Sequence, residues 1–402
     1  MKRILFLATA AFLFNLCVGQ NGNTLGSHHA QDPLHMIKKA PVTVFNGTET
    51  RPGNNMKTGG NYQPRPVASS ETIIGTTTYD LQTNTAIARR LFSHGSGKLS
   101  ATWTFSTDMG GSWPDRGTGY NYFDGSSWGA NPTVRIETIR TGWPEVISTS
   151  TGYEVVICHD PANGVLVKND RATIGSGSWT EVNLTAISPT NLWPRMAVGG
   201  SNGQTIHVIG LTTPVGNGGN PYNGLDGALL YSRSQDGGVT WDILAVQITG
   251  ADTSNFSGFS GDSYCIDARG DVVAIVASGL GDGIAMWKST DNGSTWTMSW
   301  PAKPQIPKFA EDVHNTDIIL NGDSMYSSDG TSAVLIDNND VVHAFWGRQY
   351  IINDDITDGL LSYFPGINAI DYWNENMGED NHDSIAGGYM DNTNWVGWAS
   401  YR

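Results

Sequence analysis

An eight-residue pattern, Ser-x-Asp-x-Gly-x-Ser/Thr-Trp, occurs three times and limits what this chain can fold into. It spans Ser106, Asp108, Gly110, Ser112 and Trp113, then Ser234, Asp236, Gly238, Thr240 and Trp241, then Ser289, Asp291, Gly293, Thr295 and Trp296. Each position has a physical task in a tight turn between antiparallel strands. The Asp carboxylate accepts hydrogen bonds from backbone N–H groups of its own loop. The Gly supplies the positive φ that a residue with a Cβ resists. The Ser or Thr hydroxyl closes the loop from the other side, and the Trp ring packs beneath it. Repetition of such a unit points to repeated β-hairpins and to a modular β-architecture.

The surrounding sequence agrees. From about Glu71 it is a succession of short β-runs broken by Gly, Asn and Asp, with no helix-period apolar stripe after the first twenty residues. The closing tryptophans, Trp113, Trp179, Trp241, Trp296 and Trp373, recur at irregular intervals, as units with loops of variable length produce. Hydrophobic residues make up 39% of the 402, enough for a large core, while only 15% are charged. The net charge of −15 argues against nucleic acid and anionic membrane surfaces as partners.

The pattern resembles the Asp-box of the bacterial-neuraminidase repeat family, found in sialidases and many other β-propellers. The resemblance implies an all-β, six-bladed propeller with the boxes on its periphery, where Asp108, Asp236 and Asp291 are structural rather than catalytic. Aligning the runs on that pattern places blades near residues 71–130, 140–185, 190–245, 258–300 and 310–375, with a partial sixth at 382–402. In the fifth, Asp371, Tyr372 and Trp373 take the closing position without a box. Residues 384–389 and 394–401 read as the first two strands of the sixth, so the expectation is a ring cut short in its last blade. The other arrangement has early residues closing the ring; an open ring would leave unpaired strand edges.

Residues 1–19 read as a secretory leader: Lys2 and Arg3, an apolar run over 4–16, and the small-residue site Cys17-Val18-Gly19. Leu16 is too bulky for the residue that usually precedes a lipidated cysteine. No later run is long enough to span a bilayer as a helix, and the expected location is secreted or cell-surface. Residues 20–66 read as a polar linker or surface strap, and His28, His29 and His35 in it lack the spaced partners of a metal site. Cys158 and Cys265 lie in apolar runs of non-adjacent blades and are expected to be buried free thiols.

A polar residue recurs where each blade begins. These are Glu145 after Trp143-Pro144, Arg195 after Trp193-Pro194, Asp262, Asp312 and His314 with Glu311, and His382-Asp383. In a propeller such positions reach the mouth of the central channel. Polar residues at strand ends are also common without any function. The sialidase resemblance further implies an arginine triad that grips a substrate carboxylate, a Tyr–Glu nucleophile pair and an Asp general acid. Arg65, Arg195 and Arg348 are the candidates for the triad. The segment Tyr62-Gln63-Pro64-Arg65-Pro66 departs from the family's aromatic-Arg-Ile-Pro strand, and no Tyr–Glu pair can be picked out. Scaffold likeness does not carry activity. The sequence therefore favours binding of an extracellular glycan or protein at the channel mouth, with an exo-α-sialidase-type glycoside hydrolase as the alternative. No organic cofactor is implied. The acidic loop with Asp354, Asp355 and Asp358 offers the oxygen ligands Ca²⁺ takes, or is simply a solvated acidic loop.

Overall fold

The computed structural model describes residues 71–79, 81, 88–186, 188–279, 281–309, 323–353 and 362–389. The chain divides into one unit at residues 1–73 and another at 74–402, and every sheet lies in the second. The leader, the strap histidines, Arg65, Glu311, Asp312, His314, Asp354, Asp355, Asp358 and residues 394–401 lie outside the described residues.

Among the described residues, nineteen strands form five antiparallel sheets. The first holds β1 (Leu91–Gly95), β2 (Lys98–Phe105) and β3 (Gly117–Phe123). The second holds β4 (Gly142–Ser148), β5 (Glu154–Asp160), β6 (Val165–Arg171) and β7 (Thr180–Asn183). The third holds β8 (Leu192–Gly199), β9 (Thr205–Leu211), β10 (Leu229–Ser234) and β11 (Ile243–Gln247). The fourth holds β12 (Tyr264–Arg269), β13 (Val272–Ser278), β14 (Ile284–Ser289) and β15 (Thr297–Ala302). The fifth holds β16 (Asp323–Ile336), β17 (Val342–Asn353), β18 (Ser362–Asn374) and β19 (Asp383–Tyr389). Each sheet is a meander in chain order, and the leading strands β4, β8, β12 and β16 pack successively on one another. This is a propeller-like arrangement. Among the described residues the helical segments are short 3-10 turns, and no helix is long and apolar enough to cross a membrane.

Middle strands are buried along their whole length, as in β5, β9 and β13, because a neighbouring sheet covers each face. That explains their unbroken apolar runs in place of the alternation of a one-faced sheet. Ile147, Val155 and Ile157 of the second sheet meet Met196, Ile206 and Val208 of the third. Val276 and Met286 of the fourth meet Val342, Ala344 and Trp346 of the fifth. Cys158 and Cys265 are buried free thiols within these layers, and burial pushes the Cys265 thiol up to about 12.

The three recurrent segments connect β2 to β3, β10 to β11 and β14 to β15. In the latter two, the Asp oxygen accepts from the backbone N–H groups three and four residues on, at 3.1 and 2.8 Å for Asp236 and at 3.0 and 2.8 Å for Asp291. Its second oxygen takes the Thr hydroxyl, from Thr240 or Thr295. The leading Ser accepts from the pattern glycine, Gly238 or Gly293, at 2.8 Å, and both glycines have positive φ. The first segment departs. Asp108 accepts from Gly110 and Trp113, the Ser106 hydroxyl donates to Asp115 instead, and the positive φ moves to Gly111. Asp115 thus competes for the seryl hydroxyl and rewinds the loop.

A cation on the third strand of one sheet grips the next sheet. Lys168 donates to the Gly238 carbonyl (2.8 Å), Arg233 to the Asn292 carbonyl (2.6 Å) and Lys288 to the Asp340 carbonyl (2.8 Å). The first two grip the recurrent turns themselves, so those turns join sheets as well as strands. Asp291→Ala is expected to cost about 1 kcal/mol through loss of the loop's acceptor, discounted for its exposure. Bonds from the Thr295 hydroxyl and N–H, then Ser289, hold its carboxyl at about 2. A depressed carboxylate stabilises above its unfolded value and loses that stability as pH falls. The difference between wild type and variant in chemical denaturation should therefore shrink between about pH 4 and pH 2.

Two expectations about sheet boundaries are corrected. Residues 384–389 do not begin a sixth blade: β19 pairs with β18 as the fourth strand of the fifth sheet. Asp371, Tyr372 and Trp373 lie within β18, paired with β17, rather than after a closing turn. The long strands of this sheet, 14, 12 and 13 residues, mislead a count based on runs of five or six. Ahead of the first sheet, Ala88–Arg90 is a 3-10 turn. The first recurrent turn follows the second strand of its sheet, whereas the other two follow the third. The first recurrent turn thus lies where β4 begins, with the Thr141 N–H on the Arg116 carbonyl, and the other two lie at the opposite end. The 3-10 turn runs directly into β1, whose His94 meets Ser148 of the leading strand β4 at 2.8 Å.

Candidate functional site

Glu145, Arg195 and Asp262 come together where the leading strands of the second, third and fourth sheets begin. The local cause is a shared irregularity. Pairing shifts register between Gly142 and Glu145 on β4 and between Leu192 and Arg195 on β8. At each shift a Trp-Pro pair interrupts the ladder, since Pro has no N–H to donate. The preceding tryptophans sit in the left-handed region, Trp143 at φ 53° and Trp193 at φ 49°. Bulky side chains avoid that region, and outliers of this kind concentrate at functional sites. Such bulges re-aim the next side chain inward. Glu145 and Arg195 are each 1% exposed.

Arg195 donates to the carbonyls of Pro194 (2.9 Å) and Gly261 (3.1 Å), and its Nη2 lies 3.5 Å from Asp262 Oδ1. Its guanidinium also covers the Tyr264 ring at 5.4 Å. Glu145 Oε2 accepts from the Met196 N–H, while Glu145 Oε1, Arg195 Nε and Trp143 Nε1 have no hydrogen-bond partner. Burial pushes the Glu145 carboxyl above its usual range, against the pull of Arg195. The Ala88–Arg90 turn supplies two more cations. Arg89 Nη2 pairs with Asp267 of β12 at 2.5 Å and its Nε reaches the Met196 carbonyl. Arg90 is pushed down by burial and by Arg195, and held up by Glu145 and Asp262.

Aromatic rings rim this site in a continuous arc. Trp113 meets Tyr79 edge-on at 4.9 Å, Tyr79 meets Trp143 at 6.4 Å, Trp143 stacks on His159 at 5.0 Å, and His159 meets Trp193 at 5.8 Å. The Trp193 N–H donates to His159 Nδ1 (3.0 Å) and the Tyr264 hydroxyl to the Trp193 carbonyl (2.6 Å). A Cβ on Gly261 would stand 2.8 Å from the Trp193 ring, so only glycine lets the ring lie there. Arg116 covers both Tyr79 and Trp143, at 5.3 and 5.5 Å. Burial, then Arg116, Arg195 and Arg140, push His159 well below its usual range, which keeps the imidazole neutral. The surroundings are thus basic within a protein of net charge −15.

Arg348, His382 and Asp383 do not begin a leading strand. Arg348 is on β17, a second strand, and His382 and Asp383 lead into the outer strand β19. Arg348 pairs with Asp371 and Arg195 with Asp262, so each arginine has a carboxylate partner of its own. Tyr79, Arg89, Arg90, Arg116, His159 and Tyr264 were not singled out by the sequence. The repeated Trp-Pro dipeptide was the available signal for the rim. Among the described residues, no three His, Cys, Asp or Glu side chains gather as a metal ion would need.

No protein-family model matches the chain, and no curated protein does. Among solved structures it is similar to a protein of unknown function from Dyadobacter fermentans, at 13% identity and TM-score 0.39, over 73% of this chain and 91% of that one. It is similar to a PL25 ulvan lyase at 9% and 0.41, over 76% and 84%. It is also similar to the NanB sialidase of Streptococcus pneumoniae at 13% and 0.36, over 64% of this chain but 35% of NanB. At such identities and TM-scores these likenesses transfer neither activity nor site residues to this chain.

Raising pH exposes the strain of burying Glu145. A carboxyl whose folded value is raised binds more protons folded than unfolded, so stability falls as pH rises above the unfolded value of about 4.3. Glu145→Gln should flatten that slope in urea titrations run between about pH 4.5 and pH 7. An unchanged slope would mean that Arg195 keeps Glu145 ionised throughout.

Proposed function

We propose that the chain is a secreted or surface protein of the Asp-box propeller class that binds glycan at the mouth formed by the leading strands. The aromatic arc from Tyr79 through Trp143 and His159 to Trp193, laid over the Arg195 cluster, is the observation that carries this. Trp143 and Trp193, half-buried and braced by the buried Tyr79 and His159, offer the apolar face of a sugar a stacking surface. Arg90, Arg116 and Arg195 outnumber Glu145 and Asp262, which favours sugars bearing a carboxylate or sulfate.

Binding of the purified chain to an immobilised polyuronate, a sialylated glycan and a neutral glucan tests this. We expect at least one acidic glycan to bind about tenfold more tightly than the glucan, and the preference to fade as salt rises. Equal retention of the neutral glucan, or no binding by folded protein, would overturn it. The hydrolase reading draws on one observation: Glu145, pushed up by burial, shares Arg195 with Asp262, so two carboxylates meet in one site as glycoside hydrolysis requires. Turnover of a fluorogenic sialoside that disappears in Glu145→Gln would establish it.

A further inference from the structure

A cleft of about 330 Å³ opens between the fourth and fifth sheets, and none of Glu145, Arg195 and Asp262 lines it. Its inner wall is Asp371 on β18, a side chain with no exposed surface. Arg348 Nη1 stands 3.6 Å from Asp371 Oδ1, and His382 Nε2 lies 3.4 Å from its Oδ2 without hydrogen-bond geometry. Ser384 donates to Oδ1 at 2.6 Å. Pairing of β18 with β19 shifts register at Ile370 and Asp371, which turns the carboxylate out of the regular ladder. Three atoms around it lack any hydrogen-bond partner: Asp371 Oδ2, Arg348 Nε and His382 Nδ1. Unsatisfied buried polar groups are costly, and the three residues that carry these atoms all line the cleft.

The chemistry of the lining selects an occupant. Asp282, Asp371 and Asp380 line the cleft with Lys303 and Arg348, so the lining carries no excess of positive charge, unlike the basic mouth. Arg348 is already beside Asp371 and lies over the Tyr326 ring at 4.6 Å, which leaves little excess field for an anion. Adjacent donor and acceptor atoms suit neighbouring hydroxyls, each of which both donates and accepts. The volume is at the small end for ligand sites, which limits the occupant to a small molecule or one terminal residue of a longer chain.

We propose that this cleft is a second sugar site, binding a neutral, hydroxyl-rich saccharide residue through Asp371, Arg348 and His382. It stands on its own residues and does not require the mouth to bind glycan. Ligand-observed NMR and calorimetry of the whole chain with methyl glycosides of glucose, galactose, mannose, fucose and N-acetylglucosamine test it, with methyl glucuronide as the acidic arm. We expect saturable binding of at least one neutral glycoside, in the range of about millimolar Kd. Arg348→Ala and Asp371→Asn should each weaken it by about tenfold or more, while Trp193→Ala at the mouth leaves it unchanged. Arg348, with 23% of its side chain exposed, carries the test should the Asp371 variant not fold. Absence of binding by every neutral glycoside, glucuronide binding that is tighter than theirs and is lost in Arg348→Ala, or an undiminished response in Arg348→Ala would overturn the proposal. Loss in Trp193→Ala alone would move the sugar to the mouth and empty the cleft of this role.

Discussion

Glu154→Ala is expected to destabilise the protein by about 3–5 kcal/mol, the range for stripping one partner from a buried ion pair. Glu154 has no exposed surface and joins two sheets. Its carboxylate accepts from Ser100 Oγ on β2 (2.5 Å) and Tyr120 OH on β3 (2.9 Å) in the first sheet. From the second sheet it accepts Arg171 Nε at 2.8 Å, Arg171 Nη2 at 2.6 Å and the Gly175 N–H at 3.1 Å. The alanine variant leaves the Arg171 guanidinium buried without its counter-charge, and the Ser100 and Tyr120 hydroxyls without the carboxylate that accepts from both. Stacking of Arg171 over Trp179 (4.1 Å) and Tyr120 (4.6 Å) holds that cation in place, so it cannot escape to water cheaply. Urea unfolding should show a lower midpoint at an unchanged slope, with little sensitivity to salt because the pair is buried. Pairing the change with Arg171→Met should recover part of the loss, since the orphaned charge then goes too. A loss under about 1 kcal/mol would mean that water reaches the site and replaces the carboxylate.

Trp193→Ala is expected to weaken glycan binding at the mouth by about 2–4 kcal/mol, or roughly 30- to 1,000-fold, as for a central aromatic anchor. The backbone at this position is equally strained with alanine, and the N–H that His159 accepts is kept, so the change removes chiefly the ring. Titration calorimetry with the tightest-binding acidic glycan would measure it, with thermal unfolding run alongside to separate binding from folding. Unaltered affinity would remove Trp193 from the binding surface and place recognition at Trp143 or beyond the arc.

Much of the architecture follows from patterns local in the chain. The recurrent turn is legible because Asp236 and Asp291 bond groups within four residues of themselves, a geometry that needs no tertiary partner. The strands of the second, third and fourth sheets are legible because Gly and Asn breaks separate apolar runs of ordinary length. The first recurrent turn shows the limit of this. Its pattern matches at every position, yet Asp115, two residues past the Trp, captures the seryl hydroxyl. The fifth sheet shows another. Asp371, Tyr372 and Trp373 look like a closing turn until β17 pairs with them.

The site divides the same way. Glu145, Arg195 and Asp262 could be picked from their common place at the start of β-runs, because a repeat aligns equivalent positions on one end of the molecule. Arg89 and Arg90 could not, since their partners, Asp267 and the Met196 carbonyl among them, are more than a hundred residues away in sequence. Nor could the pairing of Arg348 with Asp371, which depends on how β17 and β18 align. By itself the sequence determined the turn, the all-β class and the polar residues that begin the strands, all set by short-range backbone chemistry. Tertiary structure alone decided that the described strands form four four-stranded sheets and a three-stranded first one, that an arginine turn stands among the leading strands, and that Asp371 lines a cleft. Those outcomes depend on how sheets pack and which strands pair, and burial and pairing over long separations leave no local mark.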